Sequence, residues 1–84
     1  MNHYASRRFW ALYEALPSEV RELAEKNYRL LKSDSRHPSL HFKKIGELWS
    51  VRVGMHHRAL GVEIEDGICW IWIGTHADYD KLVD

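Results

Sequence analysis

Residues 49–64 read WSVRVGMHHRALGVEI. In the first half, Trp49, Val51 and Val53 alternate with Ser50 and Arg52, the period of two that a half-buried strand shows and a helix does not. Gly54 lies within VGMHH, which reads as a hairpin connection, and it supplies the backbone freedom such a connection needs. A second strand then runs from Arg58 through Leu60, Val62 and Ile64. An antiparallel pair at the centre of the chain sets the fold, and the flanking segments must pack around it.

On the C-terminal side, EDG at residues 65–67 reads as a hairpin turn whose Asp-Gly pair favours positive φ. ICWIWIG at 68–74 is apolar on both faces, as a strand buried within a sheet should be. The tail, residues 75–83, reads as one or two helical turns. On the N-terminal side, LHFKKI at 40–45 is a first strand candidate. Before it the period changes: Phe9, Leu12, Tyr13 and Leu16 recur at helical spacing over residues 6–16. Pro17 interrupts that helix and opens a second, with Glu19 and Glu22 near its positive end and Lys32 near its close. The expectation is a single α+β domain spanning residues 1–84. It has an N-terminal αα-hairpin packed on a three- or four-stranded antiparallel sheet, and a short C-terminal helical turn. MNHYA at residues 1–5 is too short to be assigned a strand.

A chain of 84 residues holds one thin core, here rich in large rings: four Trp and four Tyr. The single Cys69 cannot form an internal disulfide and sits among apolar neighbours, so it is expected to be a buried thiol in a strand. No apolar run reaches membrane-span length and the first residues lack a signal-type stretch, so no membrane partner and a cytoplasmic location are expected. Basic and acidic residues balance at twelve each, but unevenly. Residues 36–58 hold five basic and one acidic group, whereas residues 59–84 hold one and six. Four of the six His, at positions 37, 41, 56 and 57, join the basic third. That patch suits a polyanion or an acidic protein, and equally the wet face of an amphipathic sheet.

Three segments could carry chemistry. In IGTHADYD at 73–80, Thr75 and Asp78 have the spacing of a helix N-terminal capping pair, which accounts for both without chemistry. His76, Asp78 and Asp80 diverge on a helix, and no metal site is expected there. His76 and Tyr79, three apart, lie near one helix face. Arg52 points away from Trp49, Val51 and Val53, so if those three pack on the helices it stands on the open face of the sheet. Arg58 shares parity with Leu60, Val62 and Ile64, so either a bulge near His57 turns it outward or that face is exposed at the start of the strand. Lys43 and Lys44 point to opposite sides, and only one can join the others. If Arg52, Arg58, one lysine, His76 and Tyr79 converge, they form a phosphate-binding surface with acid and base groups; otherwise they are solvated charges at strand edges.

Three strings, FWALYEALPSEVRELAEKNYRLL, LHFKKIGELWSVRVGMHHRALGVEIEDG and WIWIGTHADYDKL, together resemble the RelE/ParE superfamily of type II toxin-antitoxin toxins over nearly the whole chain. WSVRVGMHHRALGVEI is similar to the family's aromatic, apolar, Arg-Val-Gly hairpin. The resemblance implies a compact toxin with an αα-hairpin on a twisted antiparallel sheet, neutralised by a cognate antitoxin. RelE-like members cleave mRNA on the ribosome, and ParE-like members bind DNA gyrase. It assigns Arg58 to the hairpin arginine and Arg52 to the arginine before Val-Gly. Tyr79 matches the terminal tyrosine, and His76 falls near the basic residue after the last strand. Leu48 and Ser50 stand where RelE proper carries basic residues, leaving Lys43, Lys44 or a histidine to act as base.

The expectation is therefore a ribosome-dependent mRNA endoribonuclease that needs no metal or other cofactor. Its site would hold Arg58, His76 and Tyr79 in catalysis, with Lys43, Lys44 and Arg52 binding substrate. The alternatives are a non-enzymatic toxin that binds DNA gyrase, and a degenerate member that binds only its antitoxin.

Overall fold

The computed structural model describes residues 1–83. In chain order the elements are β1 (Asn2–Ala5), α1 (Arg7–Glu14), α2 (Ser18–Ser33), β2 (Lys43–Ile45), β3 (Leu48–Val53), β4 (His57–Ile64), β5 (Gly67–Thr75) and α3 (His76–Val83). A short 3-10 turn, Pro38–Leu40, precedes β2. The strands form one sheet in the order β1-β5-β4-β3-β2. Among the described residues, no helix is long and apolar enough to cross a membrane.

α1 starts where the Ser6 hydroxyl accepts a hydrogen bond from the Phe9 amide at 3.2 Å. Its end is closed from the next helix, since Arg21 Nη1 donates to the carbonyls of Leu16, at 2.7 Å, and Glu14, at 3.3 Å. Pro17 is the residue just before α2 rather than part of its first turn. α1 packs chiefly on β5 and α2 on β3. Between the two helices and the sheet lies an apolar cleft of about 390 Å³, whose lining includes Phe9, Tyr13, Leu31, Val51 and Trp70. It contains no arginine or lysine.

The core is the helix-facing side of the sheet. Val51, Val53, Ala59, Ile68, Trp70 and Ile73 are buried there with Leu31 and Leu40. Burial of an aliphatic or aromatic side chain of this size contributes about 1.5–3 kcal/mol. Val51 pairs with Ala59, and Ala59 with Ile73, so one row of side chains crosses three strands. The opposite parity puts Ser50, Arg52, Arg58 and Leu60 on the other face, which we term the open face. No bulge turns Arg58 outward. The irregularity lies between Leu60 and Gly61 on the β4/β5 pair, and a Cβ at Gly61 would come within 2.6 Å of Ile68 and 2.9 Å of Trp70.

Four details depart from the sequence expectation. The sheet has five strands and is mixed, because residues 2–5 pair in parallel with β5. The 65–67 turn uses no positive φ. Gly67 is required there for a different reason, since a side chain would run into the Asn2 backbone of β1. The first strand is only Lys43–Ile45, because His41 takes left-handed backbone angles, φ 45° and ψ 41°, that end any extended run. Cys69 lies in β5 but is only partly buried, on the side of the sheet away from Ile68 and Trp70.

Candidate functional site

β3 and β4 place Arg52 and Arg58 as direct cross-strand partners on the open face. Two like charges so placed cost about 0.2–1 kcal/mol. Neither cation is in an ion pair among the described residues, where the pairs found are Lys44–Glu63 and His76–Asp80. Arg58 is 7% exposed, and Nη1 donates to the Ser50 hydroxyl at 3.4 Å. The Nε atoms of both Arg52 and Arg58 are buried without a hydrogen-bond partner. A buried guanidinium such as that of Arg58, with no counter-charge and an unpaired donor, is unfavourable on its own account, and a bound anion would offset its charge.

Fixed elements hold each arginine. Asn27 of α2 donates from Nδ2 to the Arg52 carbonyl at 3.1 Å, tying the strand to the helix beneath it. Over Arg58 lies the ring of Tyr79, its centroid 5.1 Å from Cζ and the residue 5% exposed. α3 thus closes one side of the arginine pair by cation–π contact. It begins as its sequence suggests, the Thr75 hydroxyl accepting from the Asp78 amide at 3.2 Å.

The remaining residues expected at the site separate into two groups. Lys43 pairs with Ser50 and so shares the face of Arg52 and Arg58. Lys44 pairs with Trp49 on the helix side and meets Glu63 at 3.9 Å, which removes it from this surface. His76 stands at the rim, its ring 5.7 Å from that of Tyr79. Its Nδ1 lies 3.2 Å from Asp80 Oδ2, so Asp80 orients the imidazole. Its amide donates to the His56 carbonyl at 2.7 Å. Among the described residues, no cluster of His, Cys, Asp and Glu has the geometry of a metal site.

His41 is the residue that sequence reasoning did not single out. Its Nε2 lies 3.2 Å from Arg52 Nη1. Arginine can only donate, so Nε2 accepts and the ring is neutral with its proton on Nδ1. Local desolvation, followed by the charges of Arg52, Arg58 and Lys43, pushes its pKa below the ordinary histidine value. Its anchors are its neighbours: Leu40 is fully buried, and the Phe42 ring stacks on Trp49 at 4.7 Å. His41 is also the one non-glycine residue with positive φ among those described. The available signal was a histidine between two apolar residues just ahead of a basic pair.

The site is thus a cationic floor of Arg52, Arg58 and Lys43, with a neutral imidazole on one side and a buried tyrosine on the other. Such an arrangement can bind a phosphodiester and move a proton beside it. Comparison with known proteins agrees with the fold. The structure is similar to a chain of the RelB-RelE antitoxin-toxin complex from Methanococcus jannaschii, with a TM-score of 0.71 and 16% identity, over 96% of this chain and 99% of that one. It is also similar to the isolated E. coli RelE toxin, with a TM-score of 0.64 and 14% identity, over 95% of this chain and 93% of that one. A sequence search against curated proteins gives no match. The family model of the ParE-like toxin domain matches residues 18–81, from the start of α2 into α3. The chain belongs to the ParE-like toxin domain family, within the RelE/ParE superfamily of toxins.

Proposed function

We propose that the protein is the toxin of a type II toxin-antitoxin pair and inhibits translation by cleaving mRNA on the ribosome. The observation that carries this reading is the Arg52–Arg58 pair, two arginines directly opposite each other on adjacent strands with no carboxylate partner among the described residues. Cleavage of a ribose-phosphate chain requires the 2′-OH to lose a proton and attack the adjacent phosphorus. Negative charge then builds on the phosphate oxygens, where Arg52, Arg58 and Lys43 would act on it. As the P–O5′ bond breaks, the departing oxygen takes a proton on the α3 side, from Tyr79 or His76. The products are a 2′,3′-cyclic phosphate and a 5′-hydroxyl.

One of the two similar structures is a chain of a RelB-RelE antitoxin-toxin complex and the other an isolated RelE toxin, which supports an antitoxin as the physiological partner. The experiment is translation in a cell-free extract with purified protein added. Protein synthesis should fall and the mRNA should be cut, and undiminished synthesis with intact mRNA would sink the reading. A second reading has one observation in its favour, that the matching family model is the ParE-like one. In that case the protein binds DNA gyrase and cuts nothing. Loss of supercoiling activity in a purified gyrase assay, with translation untouched, would establish it over the first.

A further inference from the structure

We propose that His41 is the proton acceptor of this site and that Arg52 is its gate, masking the acceptor nitrogen until a phosphate draws Arg52 away. This rests on the phosphodiester-cleaving reading above. In the free protein the Nε2 lone pair of His41 is occupied by Arg52 Nη1 at 3.2 Å. Arg52 Nε is at the same time buried without a partner, so the guanidinium is incompletely satisfied where it stands. A phosphate between Arg52 and Arg58 offers that guanidinium charged acceptors in bidentate geometry, a stronger bond than a neutral imidazole makes. The bond to His41 is then the one given up, and Nε2 is freed beside the newly seated anion.

The same event makes His41 a better base. The charges that face it come from three strands: Lys43 on β2, Arg52 on β3 and Arg58 on β4. Together with partial desolvation they hold its pKa down, and an anion among them offsets their field, so the affinity of Nε2 for a proton rises as substrate binds. Nε2 then takes the 2′-OH proton, the 2′ oxygen forms its bond to phosphorus, and the P–O5′ bond breaks with a proton delivered to O5′. The left-handed backbone at His41, held between buried Leu40 and stacked Phe42, directs the ring toward Arg52.

Two measurements test this on the full-length protein. In the first, the His41 imidazole is titrated by NMR with and without inorganic phosphate. The expected result is a pKa below the ordinary value in the free protein that rises with phosphate, and no phosphate response in Arg52→Gln. A His41 pKa indifferent to phosphate overturns the gate. In the second, mRNA cleavage in a translating extract is compared for wild type and His41→Gln across pH. The variant should lose about 100-fold or more in rate, and the wild-type dependence on a deprotonated group, while inorganic phosphate still raises its thermal midpoint. Wild-type cleavage matched within about threefold by His41→Gln, with the same pH profile, overturns the base role alone. Absence of cleavage by wild type overturns the underlying reading, and the base role with it.

Discussion

Arg52 and Arg58 face each other directly across β3 and β4, and no carboxylate among the described residues neutralises either. A fold selected for stability alone would not set two cations in register on adjacent strands, one of them almost fully buried. Removing one charge while keeping its apolar bulk should therefore not weaken the protein. Arg58→Met, which keeps contact with the Tyr79 ring, is predicted to be as stable as wild type or more stable by up to about 1 kcal/mol. Urea unfolding measures this, and a loss above about 1 kcal/mol would show the guanidinium to be a net structural support.

An anion that fills the gap should stabilise the native state by mass action. At a hundredfold excess over its Kd, inorganic phosphate is predicted to add about 2.7 kcal/mol of stability, seen as a raised Tm relative to chloride at equal ionic strength. Arg58→Met should lose most of that response. Lys44→Ala should keep it, because Lys44 stands on the other face beside Glu63.

The β4/β5 turn should respond to pH at the acid end. Tyr4 Oη donates to Asp66 Oδ2 at 2.7 Å, and Asn2 Nδ2 donates to the same oxygen at 3.1 Å. The tyrosine bond first and the asparagine bond second hold the Asp66 carboxyl below the ordinary aspartate range. A depressed folded-state pKa contributes stability that is present above the unfolded value, near 3.9, and is lost as pH falls through the folded one. Tyr4→Phe should bring the Asp66 titration, followed by NMR, back toward the ordinary range. The stability difference between wild type and variant should be constant around neutral pH and vanish in strong acid. An unmoved Asp66 titration would contradict this.

Gly67 is required by a neighbour rather than by its own φ. Gly67→Ala drives a methyl group into the Asn2 backbone and should cost about 1–3 kcal/mol, as overpacking does elsewhere. The damage should be local, with amide hydrogen exchange accelerating across β1 first, while Val51 and Ala59 in the central strands stay protected. Uniform acceleration across the sheet would show that β1 is not a separable edge.

Much of this arrangement was legible in the chain. The alternation at 49–53 placed Arg52 on the face away from the core, helical spacing found α1 and α2, and Thr75 with Asp78 announced the cap of α3. What stayed hidden depends on contacts distant in sequence. β1 is four residues long and exists because β5 offers it a parallel edge, so no local period could reveal it. The face of Arg58 was ambiguous because Leu60 shares its parity and is buried on the open face beside Trp72, and an apolar neighbour looked like a core marker. His41 was missed for a related reason: its significance comes from Arg52, eleven positions on, and from a left-handed turn fixed by where Leu40 and Phe42 pack.

The central claim, that the paired arginines serve RNA cleavage by the 2′-OH, is tested most directly at the ends of the cut message. In a translating extract treated with wild-type protein, mRNA fragments should carry 2′,3′-cyclic phosphate at the upstream end and 5′-hydroxyl downstream. Arg58→Gln, folded to the same Tm, should give such ends about 100- to 1,000-fold more slowly. Intact mRNA with wild-type protein, or fragments with the same ends formed equally fast by Arg58→Gln, would contradict the account.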